Sequence, residues 1–150
     1  MPDVVGNVVF YDIGYGSGNY ARHVIHHEFN HLLTYNLTGD YAPSDPTWRS
    51  LNPPGFQYGK GGASCYVPGN SCLTGDHPSP GFVKGYATSA IEEDKAELYG
   101  YLMGTSNYLL LKGWIRTDSY LAAKVDNYKN YLCKLSVAMC GDYFDLINTG

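Results

Sequence analysis

The chain has 150 residues and a formal charge of −4, with 44% hydrophobic residues, which suits one domain able to bury a core. The acidic balance, with no Lys/Arg cluster to override it, excludes a polyanion-binding surface, so nucleic acid is not expected as a partner. No apolar run approaches the ~20 residues needed to span a bilayer. Met1-Pro2-Asp3-Val4-Val5 lacks the basic and apolar regions of a signal peptide, so a mature or excised chain is expected.

Val4 to Asp12 is β-branched and aromatic, and reads as one strand or a short hairpin before a Gly-rich turn at Gly14-Tyr15-Gly16-Ser17-Gly18-Asn19. A helix then carries Tyr20 to Leu33 and ends near 35–39, where Asn and Gly accumulate. Within it His27, Glu28 and His31 spell HExxH, the pattern in which two histidines one turn apart hold zinc beside a general-base glutamate. A helix advances about 100° per residue, so the two imidazoles lie roughly 40° apart on one face. Ile25, Phe29, Leu32 and Leu33 form a stripe on another side, which is expected to pack on the core while the ligand face looks outward. His23 and His26 fall outside the ligand arc and read as structural or surface groups.

From Asp40 to Lys84 the chain is rich in Gly, Pro, Tyr and Ser and shows no sustained period, which predicts a long surface loop held by a local staple. Four cysteines in two local pairs, Cys65 with Cys72 and Cys133 with Cys140, read as two disulfides and point to a secreted, extracellular protein. Neither pair has the CxxC spacing of a structural zinc site. Trp48, Leu51, Phe56 and Tyr58 are expected to anchor the loop by burying aromatic area, with a substrate pocket as the alternative. His77, in Gly-Asp-His-Pro, reads as a loop histidine.

A second helix is predicted from about Ser89 to Met103, with Ser89 and Glu92 forming a capping box. Glu93, Ala96, Glu97 and Gly100 share one face, and Ile91, Leu98 and Leu102 share the core face. Small residues at 96 and 100 allow close approach to the HExxH helix, with Glu93 against His27 and His31. The apolar stretch from Tyr108 to Trp114 is open between helix and strand. Asp118 or Ser119 caps a helix running to about Ser136, and 142–148 forms a short last one.

A hydrolytic zinc site takes three protein ligands and keeps a position for water. The metzincin continuation would put Gly at 34 and His at 37, where this chain has Thr34 and Leu37. A carboxylate from the second helix fits better, and Glu92, Glu93 and Glu97 are the candidates. Glu92 is turned roughly 100° away from Glu93 and is better used as a cap. Asp94 reads as solvated or as an acceptor behind the ligands, and Asn30 as another such group.

Here the residues resemble a known family. The segment from Tyr86 through Glu93-Asp94-Lys95-Ala96-Glu97 looks like the second signature of gluzincin-type HExxH peptidases related to the anthrax lethal factor protease domain. It is also similar to that of secreted bacterial zinc-binding metallopeptidases, as are the connecting stretches 48–59 and 82–86. The resemblance implies Glu93 as third zinc ligand, Tyr86 as hydrogen-bond donor to the oxyanion and Glu97 as an acid behind the ligands. It also implies a single zincin-like α+β fold, mainly α, with an active-site helix, a C-terminal helical lobe and a short N-terminal strand or hairpin. Only 26 residues precede His27, too few for the several-stranded sheet of a zincin's upper lobe, so a fragment or a reduced substrate cleft is expected.

The expected function is zinc-dependent hydrolysis of peptide bonds in a peptide or protein substrate by a monomer. His27, His31 and Glu93 hold the metal and Glu28 moves the proton. Two rivals stand beside it. One is a secreted zincin-like binding or structural module without catalysis. The other is a disulfide-stapled adhesion or carbohydrate-contacting domain whose HExxH is accidental.

Overall fold

The computed structural model describes residues 3–5, 8–10, 18–70, 72–73 and 75–149, and among them helix dominates. Two three-residue strands, β1 (Asp3–Val5) and β2 (Val8–Phe10), pair antiparallel with Val4 opposite Val9. The Gly-rich turn expected after them lies outside the described residues except for Gly18 and Asn19. Helix α1 (Asn19–Thr38) ends at Gly39, whose left-handed φ of 74° lets its N–H bond to the Tyr35 carbonyl at 2.7 Å.

The segment 40–84 is more structured than its composition predicts. Helix α2 (Pro46–Ser50) starts where Asp45 accepts the Trp48 N–H at 2.8 Å and proline occupies the first turn, a start signal present in the sequence. A 3₁₀ turn spans Gly62–Tyr66, and disulfides join Cys65 to Cys72 and Cys133 to Cys140. Trp48 is fully buried, while Phe56 and Tyr58 pack on buried Phe82 with ring centroids 4.4 and 6.1 Å away. The loop aromatics therefore anchor the segment.

Helix α3 (Ile91–Met103) is the central element, and α1 packs more extensively against it than against any other. It is followed by α4 (Thr105–Trp114), which resolves the open assignment at 108–114 as helix. Helix α5 (Ser119–Leu135) is capped by Asp118, which accepts the Leu121 N–H at 3.0 Å, as its sequence predicts, and α6 (Tyr143–Leu146) follows. The capping box expected on α3 does not form. The flanking residue is Ala90, no side chain caps the helix, and the Ser89 hydroxyl is buried without a partner.

The apolar core lies among α2 to α6. Trp48, Leu98, Leu102, Leu111, Leu121, Val125, Leu132 and Phe144 are buried in it, each leucine contributing about 1.5–3 kcal/mol. The expected stripe on α1 meets the core only at its C-terminal end, where Leu33 packs against it. Ile25 and Phe29 are 39% and 45% exposed, and the residues that α1 buries are His23, His27 and Asn30. Helical periodicity groups side chains by face without saying which face meets the neighbouring helix. Here the polar face does, because α3 presents carboxylates that satisfy it.

Asp94, expected to be solvated or behind the ligands, points away from them. It is 2% exposed, and its Oδ2 accepts from Trp48 Nε1 at 2.8 Å, Tyr58 OH at 2.6 Å and Lys124 Nζ at 2.7 Å. Lys124 has no exposed surface. It also donates to the Gly81 carbonyl at 2.8 Å and lies 3.7 Å from the Phe82 ring centroid. Burial pushes the Asp94 carboxyl up and the Lys124 ammonium down, and each partner's charge opposes the shift of the other. Asn30 likewise serves packing: its side-chain oxygen accepts the Tyr128 hydroxyl of α5. No helix among the described residues is long and apolar enough to cross a membrane.

Candidate metal centre

The candidate metal centre lies on the α1–α3 face. His27 Nε2 and His31 Nε2 are 3.1 Å apart, and Glu93 Oε2 lies 3.1 Å from the first and 3.3 Å from the second. These three donors form a cluster able to hold a metal ion. At most one proton can lie between two imidazole nitrogens, and Glu93 Oε2 is buried without an aligned hydrogen bond. A cation satisfies all three lone-pair donors at once. Bonds of about 2.0–2.1 Å to a tetrahedral ion place donors roughly 3.3–3.4 Å apart, close to the edges of this triangle.

The three sites are reached because small residues line the helix interface. Ala96 is fully buried, and a Cβ on Gly100 would meet His23 Cε1 and Nδ1 at 2.6 Å. His23 is therefore seated in the space that a missing side chain leaves. Its Nε2 lies 2.9 Å from Glu97 Oε2, and its Nδ1 lies 3.1 Å from Asn107 Nδ2. Glu97 Oε1 in turn lies 3.2 Å from His27 Nδ1, so Glu97 backs the ring whose other nitrogen faces Glu93. His23, His27 Nδ1 and Glu97 are also close enough to form a second donor group, which shares His27 with the first.

The electrostatics follow from this arrangement. Burial alone pushes the His27 imidazole down, but the Glu93 and Glu97 carboxylates beside its two nitrogens outweigh it and raise the ring to about 9. Burial pushes Glu93 up, and the two imidazoles beside it pull it down to about 2. Glu97 is also held below the carboxylate range, since His23 and His27 outweigh its burial. His26 lies apart, edge-on to Tyr99 at 6.0 Å. Burial first, then Arg22 and His23, lower its pKa.

Tyr86 opens a 3₁₀ turn, Tyr86–Thr88, just before α3, and its ring centroid is 6.0 Å from that of His27. Burial, then the charge of Glu93, hold Tyr86 well above the ordinary phenol range. Gly62 fits against both groups: a Cβ there would overlap the Tyr86 hydroxyl and Glu93 Oε1. Glu28 is half-buried and lines a cavity of about 390 Å³ with His27, Tyr86, Tyr66, Leu73 and Lys84.

The structure thus brings His27, His31 and Glu93 together and turns Glu28 to the cavity that His27 and Tyr86 also line, whereas Glu92 is half-buried and outside the cluster. Sequence reasoning missed the contribution of the disulfide loop. Tyr66 follows Cys65 and Leu73 follows Cys72, so the staple sets two walls of the cavity. His77 stacks on Trp114 at 5.0 Å and lies 3.0 Å from Asp118 Oδ2, an anchoring role separate from the cluster. Comparison of the chain with protein-family models, with curated proteins and with solved structures finds no match.

Proposed function

We propose that the chain is a secreted zinc-dependent peptidase of the HExxH-plus-glutamate type, with His27, His31 and Glu93 as the metal's protein ligands. The observation that carries this reading is the convergence of three donor atoms, one from a buried and two from half-buried residues, at 3.1–3.3 Å beside a half-buried glutamate that follows the first histidine. The resemblance of HExxH and the acidic helix to gluzincins agrees with it, and two nitrogens with one carboxylate oxygen suit zinc among common divalent ions. Zinc held there supplies Lewis acidity that makes water easier to deprotonate and a carbonyl easier to attack.

The chain's own residues do the rest. Glu28 takes a proton from the attacking water and returns it to the leaving amine. Tyr86 donates its hydroxyl proton in a hydrogen bond to the oxyanion as it develops, an interaction that strengthens in the transition state. Its raised pKa keeps it protonated for that task. Glu97, backed by His23, fixes the plane of the His27 ring. Two disulfides suit an oxidising, extracellular compartment.

A mixed peptide library incubated with the zinc-loaded protein, with and without chelator, tests the activity. Cleavage that chelator abolishes and zinc restores supports it. Stoichiometric zinc with no cleavage would leave the non-catalytic metal module as the better reading.

A further inference from the structure

The cavity beside the metal centre has a charge that neither fold nor proposed chemistry uses. Lys84 is the one Lys or Arg among its lining residues, and it is half-buried. Other lysines that leave the open surface find partners. Lys95 bonds Asp45 at 2.5 Å, Lys124 bonds Asp94 and Lys129 reaches Tyr108 at 3.1 Å. Lys60 and Lys134 stand exposed. Among the lysines of the described residues, only Lys84 is half-buried and without an ion pair, hydrogen bond or ring contact for its ammonium.

The backbone that carries it is anchored on both sides. Lys84 pairs with Asp76 across a single antiparallel bridge, with the His77 N–H bonding to Val83 O at 2.9 Å and the Gly85 N–H to Gly75 O at 3.2 Å. Asp76 accepts the Tyr101 hydroxyl of α3 at 2.6 Å, and Phe82 and Val83 are buried. The backbone that presents Lys84 is therefore tied to the same helix that carries Glu93. A backbone fixed before a ligand arrives limits how much must be ordered on binding to the side-chain stem.

We propose that Lys84 is the anion subsite of this cavity and that the preferred substrates are peptides with a carboxylate close to the scissile bond. This rests on the peptidase reading for the word substrate, while the carboxylate preference itself concerns binding. Tyr66 and Leu73, 71% and 54% exposed on the disulfide loop, then provide apolar contact beside the charge.

The two claims are tested separately. Zinc-loaded Glu28→Gln protein is titrated calorimetrically with acetylated hexapeptides in which one Glu moves through an otherwise neutral sequence, each matched to its Gln counterpart. We expect at least one Glu peptide to bind about ten-fold more tightly than its Gln partner, as for a hydrogen bond to a charged group. The preference should shrink as salt rises. It should vanish when Lys84→Met is added, persist with Lys84→Arg, and pass to Lys-bearing peptides with Lys84→Glu. Equal binding of Glu and Gln peptides at every position, or a preference that Lys84→Met leaves intact, overturns the subsite. Cleavage of the same peptides by the wild type is followed in parallel. Its absence counts against the peptidase reading and leaves the outcome of the titration, and so the subsite, unaffected.

Discussion

His27 Nε2 stands 3.1 Å from Glu93 Oε2, while the other nitrogen of the same ring stands 3.2 Å from Glu97 Oε1. One imidazole on α1 is thus held at both ends by carboxylates one turn apart on α3. Without metal this is an ion-pair cluster, and its stability depends on pH. His27 is raised from 6.5 to about 9, so its contribution is complete below pH 6.5 and is lost as pH rises through about 9. Glu93 is lowered from 4.5 to about 2, so its contribution is present above pH 4.5 and is lost as pH falls through about 2. Chemical denaturation in chelator should show greatest stability between pH 4.5 and 6.5, with both limbs weakened in Glu93→Gln. A midpoint that climbs steadily from pH 6.5 to 9 would contradict the cluster.

Glu28 lines the cavity yet is absent from the donor triangle. Its replacement should separate chemistry from metal binding. Glu28→Gln is expected to lower kcat/KM for peptide hydrolysis by about 10²–10⁴-fold while zinc content stays at the wild-type level. Full activity in this variant would remove Glu28 from the proposed mechanism.

Gly62 gives a test of the loop. A methyl group there overlaps the Tyr86 hydroxyl and Glu93 Oε1, so Gly62→Ala should displace these two side-chain ends from their positions at the centre. Metal affinity should fall roughly 10–100-fold, as when a group behind a ligand is disturbed, with both disulfides intact. Competition with a chromophoric chelator measures it, and unchanged affinity would show that the turn yields without moving Glu93.

Lys124 and Asp94 lie on the other side of α3 and should govern stability alone. Lys124→Met leaves a buried carboxylate without its cation and is expected to cost about 3–5 kcal/mol in urea denaturation. Adding Asp94→Asn should recover part of that, because the amide oxygen still accepts from Trp48 and Tyr58. Metal content of both variants should match the wild type.

The parts of the structure that one helix encodes locally were legible in the sequence: the spacing of His27 and His31, the Asp118 cap and the shared face of Glu93, Glu97 and Gly100. What depended on partners was not. Ile25 and Phe29 form a stripe by periodicity but face solvent, because α3 offers carboxylates where hydrocarbon was expected. Asp94 and Glu93 are neighbours in sequence, yet one serves a buried lysine from α5 and the other the histidines of α1. Neither choice can be made until the helices that receive them are placed. The strength of an Asp45-Pro46 helix start was also hidden by the Gly/Pro-rich composition around it.

The most direct test of the metal centre is zinc-edge X-ray absorption on the purified protein and on Glu93→Ala, with zinc counted in both. The wild type should hold one zinc with two imidazoles and light-atom donors at about 2.0–2.2 Å. Glu93→Ala should lose most of the metal or replace one oxygen neighbour while keeping both imidazoles. A wild type without stoichiometric zinc, or a coordination shell and affinity that Glu93→Ala leaves unchanged, would contradict the assignment.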